Sequence, residues 1–289
     1  MKCFYHKADF DGKCSGAIVK HSYPECKMIG INYGDEFPWD TIQPDEIVYM
    51  VDFSLQPFSD MVRLNEMCKF HWIDHHKTAN ESASACNFEP SGGFMLGIEF
   101  AACELTWHYL HAEQSPHKVT IPQAVHLLGR YDVWDHQDPN VLSFQYGMRT
   151  VIDTSPENQA FWSLFFNEAI DEDMVYEVIE TGRTILDYET LQNALICKAE
   201  SFETELNGLP AICINRGMVN SSIFDSVYDP EKHKIMISFS RSKSALGKWK
   251  VSLRTTHGNV SCGDIAALFG GGGHSKSAGF VCNVLPFEI

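Results

Sequence analysis

Three short runs of this sequence end in side chains that make poor core and good ligands. Trp72-Ile73-Asp74-His75-His76-Lys77 carries an apolar stretch, interrupted only by His71, into an acid and two adjacent imidazoles. Cys3-Phe4-Tyr5-His6 is followed by Asp9 and Asp11, and Ile47-Val48-Tyr49-Met50-Val51 closes in Asp52. Buried strands of α/β proteins are apolar along their length, and ligands bind in the crevice beyond their carboxyl ends. Set side by side, these ends would gather four carboxylates and three imidazoles, a set suited to metal ions and phosphate.

Each run also has a plainer use. His6-x-x-Asp9-x-Asp11-Gly12 sits at a strand-to-helix turn, where either acid could cap the helix. An EF-hand loop is excluded, because Lys13 falls on a ligand position and Lys20 where the closing glutamate belongs. Asp52 ends a wholly apolar strand, where an isolated buried carboxylate is costly. It is either a cap for the next helix or a ligand, and its central place suits one oxygen to each of two metals. In Asp74-His75-His76 adjacent side chains of an extended segment point to opposite sides, so one imidazole should ligate and the other face the substrate. Asp132, in Gly129-Arg130-Tyr131-Asp132-Val133-Trp134-Asp135-His136, reads first as a helix boundary, and Asp135 and His136 receive no role. His71, His108, His111, His117, His126, His233 and His257 are left as structural or surface residues.

Near the other end, Gly270-Gly271-Gly272-Gly273-His274 follows a helical segment. A Walker loop is not supported, since Ser275 stands where its glycine belongs and no strand precedes the run. Four glycines would nevertheless offer bare backbone N–H groups to an anion. Arg254 ends a strand-like run as a plausible phosphate fork.

The elements that must position these groups follow from apolar patterning. Residues 1–6, Lys27 to Ile31, Ile47 to Asp52 and Phe70 to Ile73 read as strands. They alternate with helices from Asp11 to Tyr23 and after Ser54, a candidate cap with Pro57 in the first turn, which implies a parallel sheet. From Phe94 the sequence reads as helical: Met95 to His111, Pro122 to Arg130, Pro156 to Ala169, and a long run from Met174 to Leu206. The last is either a connector or a hairpin broken near Tyr188. Beyond Gly208 come short strands, Ala211 to Asn215, Lys234 to Ser240, Lys248 to Thr255 and Gly279 to Asn283, with a helix from Cys262 to Phe269. The expected fold is α/β: an N-terminal domain (1–170) with a parallel sheet flanked by helices, a helical connector (171–207), and a smaller C-terminal α/β substrate-binding domain (208–289), with the active-site cleft between domains.

Composition narrows the partners. The net charge of −16 leaves no basic surface for a long nucleic-acid duplex, so an anionic substrate should be small and held by local positive charge, such as bound metal ions. No apolar run approaches the roughly 18 residues of a membrane span, and Met1 to His6 does not resemble a signal peptide. The ten cysteines form no Cys-x-x-Cys pair and mostly lie in apolar runs, which points to a reducing, cytoplasmic setting. Any self-assembly is expected to be a homodimer.

Taken together, His6-x-x-Asp9-x-Asp11-Gly12, Asp52, Asp74-His75-His76 and Asp132 resemble the four successive motifs of the DHH phosphoesterases. Gly271-Gly272-Gly273-His274-x-x-x-Ala278-Gly279 resembles the glycine-rich signature of their associated C-terminal domain, with Ser277 where alanine is usual. The pattern is most similar to the NrnB-type branch of nano-RNases and cyclic-nucleotide phosphodiesterases. The resemblance implies a site for two divalent ions, usually Mn2+. His6, Asp9 and Asp52 would hold one ion; Asp11, Asp52, His75 and Asp132 would hold the other. His76, Asp52 and Asp74 would form the catalytic group, with His76 touching the scissile phosphate. Arg254, Gly271, Gly272, Gly273, His274 and Ser277 would bind substrate from the second domain. Two ions can jointly activate one water and clamp the phosphoryl oxygens, so no separate general base is required. The implied function is hydrolysis of short oligoribonucleotides or (cyclic) dinucleotides to nucleoside monophosphates. Phosphomonoester or polyphosphate hydrolysis, as of 3′-phosphoadenosine 5′-phosphate, is the enzymatic alternative, and a non-catalytic nucleotide sensor is the alternative of another class.

Overall fold

The computed structural model describes residues 1–112, 120–167, 171–242 and 247–289; His117 and the expected helix end at Ala169 lie outside them. The chain divides into two compact units, Met1–Ile185 and Leu186–Ile289.

In the first unit, β1 (Lys2–His6), α1 (Phe10–Ser22), β2 (Lys27–Ile31), β3 (Ile47–Val51), α2 (Ser59–Met67) and β4 (Lys69–Asp74) alternate as the patterning predicts, and α3 (Lys77–Ala85) and β5 (Gly93–Leu96) extend the alternation beyond it. All five strands are parallel, in the order β2-β1-β3-β4-β5. Successive side chains of a strand face opposite sides of the sheet, and here both sides are buried. Phe4, Val48, Met50, Phe70 and Trp72 pack with Met61, Leu64, Ala79 and Ala83 on one face. Cys3, Tyr5, Tyr49, Val51 and Ile73 pack with Val19 on the other. That double cover is why these strands are apolar throughout. The helices α4 (Ala102–His111), α5 (Gln123–Asp132), α6 (Asn140–Met148) and α7 (Gln159–Phe166) build a further core around Phe144, Trp162 and Phe165.

Several expected boundaries move. Gly93–Leu96 is a fifth strand and not the start of the next helix, because its four apolar residues match either element by pattern alone. Ser54 caps nothing: α2 begins at Ser59 after Phe58, with no side-chain cap. α8 (Asp171–Glu200) is one unbroken helix spanning the division between the units, so the hairpin alternative is not realised. It stops six residues before Leu206, and β6 (Phe202–Leu206) follows. The apolar–polar alternation of Phe202-Glu203-Thr204-Glu205-Leu206 is a strand period that a helical reading absorbed.

The second unit continues with β7 (Leu209–Ile214), β8 (Ile235–Arg241), β9 (Trp249–Arg254), α9 (Cys262–Ala267), β10 (Gly272–Gly273) and β11 (Ser277–Cys282). Its six strands run in the order β10-β11-β9-β8-β7-β6, with β7 and β8 the one parallel pair. Every cysteine is a free thiol, and eight of the ten are buried. No helix among the described residues is long and apolar enough to cross a membrane.

One histidine left as structural should make the stability of the fold sensitive to acid. The His71 ring on β4 stacks on Tyr49 at 4.5 Å, and its Nδ1 lies 2.7 Å from the Tyr109 hydroxyl. Burial, with Lys69 nearby, pushes its pKa down to about 4. The unfolded chain takes up this proton near pH 6.5, before the fold does. The stabilisation is therefore full above about pH 6.5 and is lost as the pH falls towards about 4. Discounted for partial solvent exposure, the loss is on the order of 1 kcal/mol. Urea titrations at a series of pH values should show a flatter acid limb in His71→Phe; identical limbs would contradict the assignment.

Candidate functional site

The register of the parallel sheet brings the three acid-tipped strands together. Tyr5 pairs with Val51, and Val51 with Ile73, so His6, Asp52 and Asp74 emerge side by side from β1, β3 and β4. Because β2 and β3 lie on opposite sides of β1, this is a topological switch point, where such sheets bind ligands.

At the first turn, Asp9 caps α1 by accepting the Gly12 N–H at 3.0 Å. Its Oδ2 also lies 3.0 Å from His6 Nδ1. Asp9 thus does the plain work and lines the site as well. Gly12 is required here, since a Cβ would stand 2.1 Å from the His6 carbonyl oxygen. Asp11 points elsewhere: its two oxygens accept the Ala102 and Cys103 N–H groups at 2.9 and 2.7 Å, at the start of α4. A buried carboxylate is well placed at a helix N-terminus. Asp52 adopts φ 55, the left-handed region that L-residues other than Asn and Asp rarely visit. It does not cap α2. Its Oδ2 lies 3.5 Å from His6 Nδ1, while its Oδ1 lies 3.4 Å from His75 Nε2 and 3.7 Å from His76 Nδ1. His75 Nε2 is also 3.5 Å from Asp11 Oδ2 and 3.2 Å from Asp132 Oδ2. Asp132 belongs to the last turn of α5, inside the helix and not beyond it.

The two adjacent imidazoles do not diverge. Their ring centroids are 4.8 Å apart, because β4 ends at Asp74 and the strand alternation ends with it. Asp74 is fully buried, and its Oδ1 accepts the N–H groups of His75 and His76 at 2.7 and 3.1 Å and meets His76 Nδ1 at 2.7 Å. This carboxylate orients the tandem histidines from beneath.

Three ligand groups result, each with donor atoms within 4.8 Å of one another: His6, Asp9 and Asp52; Asp11, His75 and Asp132; and Asp52, His75 and His76. Charge is crowded here. Burial and the neighbouring Asp52 and Asp132 carboxylates hold Asp11 well above the usual carboxylate range, and burial raises Asp52. Burial disfavours charge on the imidazoles, yet Asp52 and Asp9 push His6 up to about 10, and Asp132 and Asp52 push His75 up to about 11. His76 is raised chiefly by Asp74. His6 Nδ1 and Asp52 Oδ1 are buried without a hydrogen-bond partner. Orphaned lone pairs among clustered carboxylates are what a cation would satisfy, and mixed oxygen and imidazole donors suit manganese better than a thiolate-seeking ion.

The candidate residues of the second unit also come together. Arg254 ends β9 opposite Ser277 of β11. His274 and Ser277 exchange backbone hydrogen bonds at 2.8 and 3.2 Å around a two-residue turn. The glycine run is not four bare donors. Gly270 and Gly271 donate to Ala267 and Ala266 at the end of α9. In the β10–β11 ladder the His274–Ser277 pair is hydrogen-bonded, so Gly273–Ala278 is the open pair and Gly272 bonds to Gly279. Close packing explains part of the run: a Cβ on Gly271 would lie 2.2 Å from the Gly279 carbonyl oxygen.

Sequence reasoning passed over two neighbours. Tyr33, whose ring edge meets His6 at 5.8 Å, stands in a loop with no periodic pattern. Glu104 is buried at the α4 N-terminus and bonds Arg130 and His126. Asp135 and His136 serve locally: Asp135 Oδ2 lies 3.7 Å from Arg130, and His136 stacks on Tyr131 at 5.4 Å.

No protein-family model matches the sequence. The chain is 25% identical over 271 residues to protein R106 of Acanthamoeba polyphaga mimivirus, covering 89% of this chain and spanning only 58% of that protein's length. Among solved structures it is similar to PggH, a pGpG-specific phosphodiesterase from Vibrio cholerae (TM-score 0.54, 13% identity, 97% of this chain and 92% of that one). It is also similar to the DHH domain of a protein assigned to a family of ribosomal proteins (TM-score 0.51, 13% identity, 97% and 82%). These likenesses establish a shared fold, the α/β arrangement of DHH-domain proteins.

Proposed function

We propose that this protein is a metal-dependent phosphodiesterase of the DHH type, hydrolysing short oligoribonucleotides or (cyclic) dinucleotides to nucleoside monophosphates. The observation that carries the reading is Asp52, whose two carboxylate oxygens face opposite histidines, His6 at 3.5 Å and His75 at 3.4 Å. On this reading His6, Asp9 and Asp52 hold one divalent ion, and Asp11, Asp52, His75 and Asp132 hold a second, with Mn2+ the best match to the donors. Two such ions would supply the Lewis acidity that activates water and stabilises charge on the phosphoryl oxygens. His76, oriented through Nδ1 by Asp74, presents its other nitrogen to the scissile phosphate. Arg254, His274, Ser277 and the Gly271–Gly273 segment are assigned to substrate binding. The fold shared with a pGpG-specific phosphodiesterase supports this assignment, and the net charge of −16 favours short substrates over long ones.

Incubation of the full chain with Mn2+ and RNAs graded from dinucleotide to twentymer tests the proposal, with products separated by ion-exchange chromatography. Dinucleotides and other short chains should be consumed fastest, yielding mononucleotides. Preference for the longest RNA would reject the substrate class. Release of inorganic phosphate in place of mononucleotide would mark a phosphomonoesterase.

A further inference from the structure

Beside the candidate metal centre, the loops that follow β2 and β3 enclose a cavity of about 350 Å3, lined by Asn32, Tyr33, Phe37, Trp39, Phe53 and Asp60 among others. We propose that this cavity is a nucleobase subsite, which stacks the base of a nucleotide whose phosphate lies at the centre; the identity of the ligand rests on the phosphodiesterase reading.

Tyr33 and Phe53 line the cavity and also approach the His6 ring, at 5.8 and 5.9 Å. A nucleotide with its phosphate at His6 and Asp52 therefore has an aromatic wall within one sugar's reach.

Tyr33 is 45% exposed yet fixed in place. Phe53 packs against its ring at 4.6 Å and 34°. Asp35 ties the loop down by accepting the Asn32 N–H at 3.0 Å and the Lys7 ammonium at 2.6 Å. Beneath lie Phe37 and Trp39, with ring centroids 4.6 Å apart. An exposed aromatic ring held still costs little entropy to stack upon, and base–aromatic stacking tolerates any base.

No lysine or arginine lines the cavity, whereas Asp60, Asn32 and Gln56 do, with Asp35 already engaged by Lys7 and the Asn32 N–H. Carboxylates repel a phosphate but accept the amino and imino N–H groups at a base edge. The Asn32 Oδ1 is buried without a hydrogen-bond partner, an acceptor that a base donor would satisfy once the side-chain amide turns towards the cavity. A purely apolar ligand would leave the Asn32 Oδ1 unpaired.

The test compares a 5′-phosphorylated dinucleotide with analogues abasic at either position, using the full chain with Mn2+. In the wild type, one abasic analogue should show a KM roughly ten-fold above that of the intact dinucleotide, the scale of one lost base–aromatic stack. Tyr33→Ala should collapse that ratio towards one, and Tyr33→Phe should keep it. A ratio unchanged in Tyr33→Ala, or equal KM values for all substrates in the wild type, overturns the subsite. If no dinucleotide is cleaved, the phosphodiesterase reading fails on its own. The subsite is then decided by equilibrium dialysis of adenosine against ribose, where adenosine binding that is absent, or unaltered in Tyr33→Ala, overturns it.

Discussion

Asp52→Asn should reduce turnover on the order of 10³-fold or more, the scale on which losing one preorganised electrostatic group costs catalysis, while leaving the fold intact. The expectation follows from geometry. Among the described residues Asp52 is the one carboxylate that reaches both His6 and His75, so on the two-ion reading its loss would weaken both ion sites at once, where loss of any other proposed ligand would weaken one. Asparagine keeps the shape and is among the few residues that accept φ 55. Burial raises the Asp52 pKa, with Asp9 and Asp74 adding like charge. Removing that charge should therefore not lower the melting temperature of the metal-free protein, and should raise it if repulsion outweighs the histidine contacts. Strain and crowded charge at one residue are the usual mark of a site tuned for function over stability. Calorimetric melting of the metal-free variant, manganese binding by isothermal titration and steady-state rates together check the prediction. Retained turnover at an ordinary manganese concentration would remove Asp52 from its shared role.

The site was legible in the sequence where chemistry contradicted patterning. An acid or imidazole at the end of an apolar strand has no use in a core, so His6, Asp52 and Asp74 stood out, and parallel β1, β3 and β4 set them side by side. Asp132 was harder to see, because one acid in the last turn of α5 looks like any helix end; only the packing of α5 brings it 3.2 Å from His75. Tyr33 and Glu104 carried no signal. An exposed loop tyrosine is ordinary, and a glutamate near a helix start reads as surface until its guanidinium partner, twenty-six residues away, is known. Most strands and the long helices followed from periodicity. What failed was mostly short: β5 and β6, absorbed into helical readings; α6; α3, where only Ala79 and Ala83 are buried; and β10, two glycines whose strand character comes wholly from pairing with β11. The opposite orientation expected of His75 and His76 failed because strand geometry was extended past the last strand residue.

The largest stability effect is expected from Glu104→Ala, at about 3–5 kcal/mol, the range for removing one partner of a buried ion pair. Glu104 is 1% exposed and satisfies three groups: the Arg130 guanidinium, His126 Nδ1 at 3.1 Å and the Ala101 N–H at 3.2 Å. Arg130 is itself mostly buried, and its Nε has no partner. Loss of the carboxylate would leave the guanidinium with the Glu99 carbonyl at 3.2 Å and the distant Asp135 carboxylate. The contact joins the start of α4, where Asp11 is anchored, to the last turn of α5, which carries Asp132. Glu104→Ala should thus also loosen the group of Asp11, His75 and Asp132 while sparing His6 and Asp9. Glu104→Gln keeps an acceptor for the Ala101 N–H and most of the volume, so it should lose less stability. Urea unfolding of the three metal-free proteins ranks them, and two-site manganese titration shows which binding step weakens. A loss for Glu104→Ala below about 1 kcal/mol, the net worth of an ordinary hydrogen bond, would mean that solvent takes over the role of the carboxylate and that the two helices hold Asp11 and Asp132 in place without it.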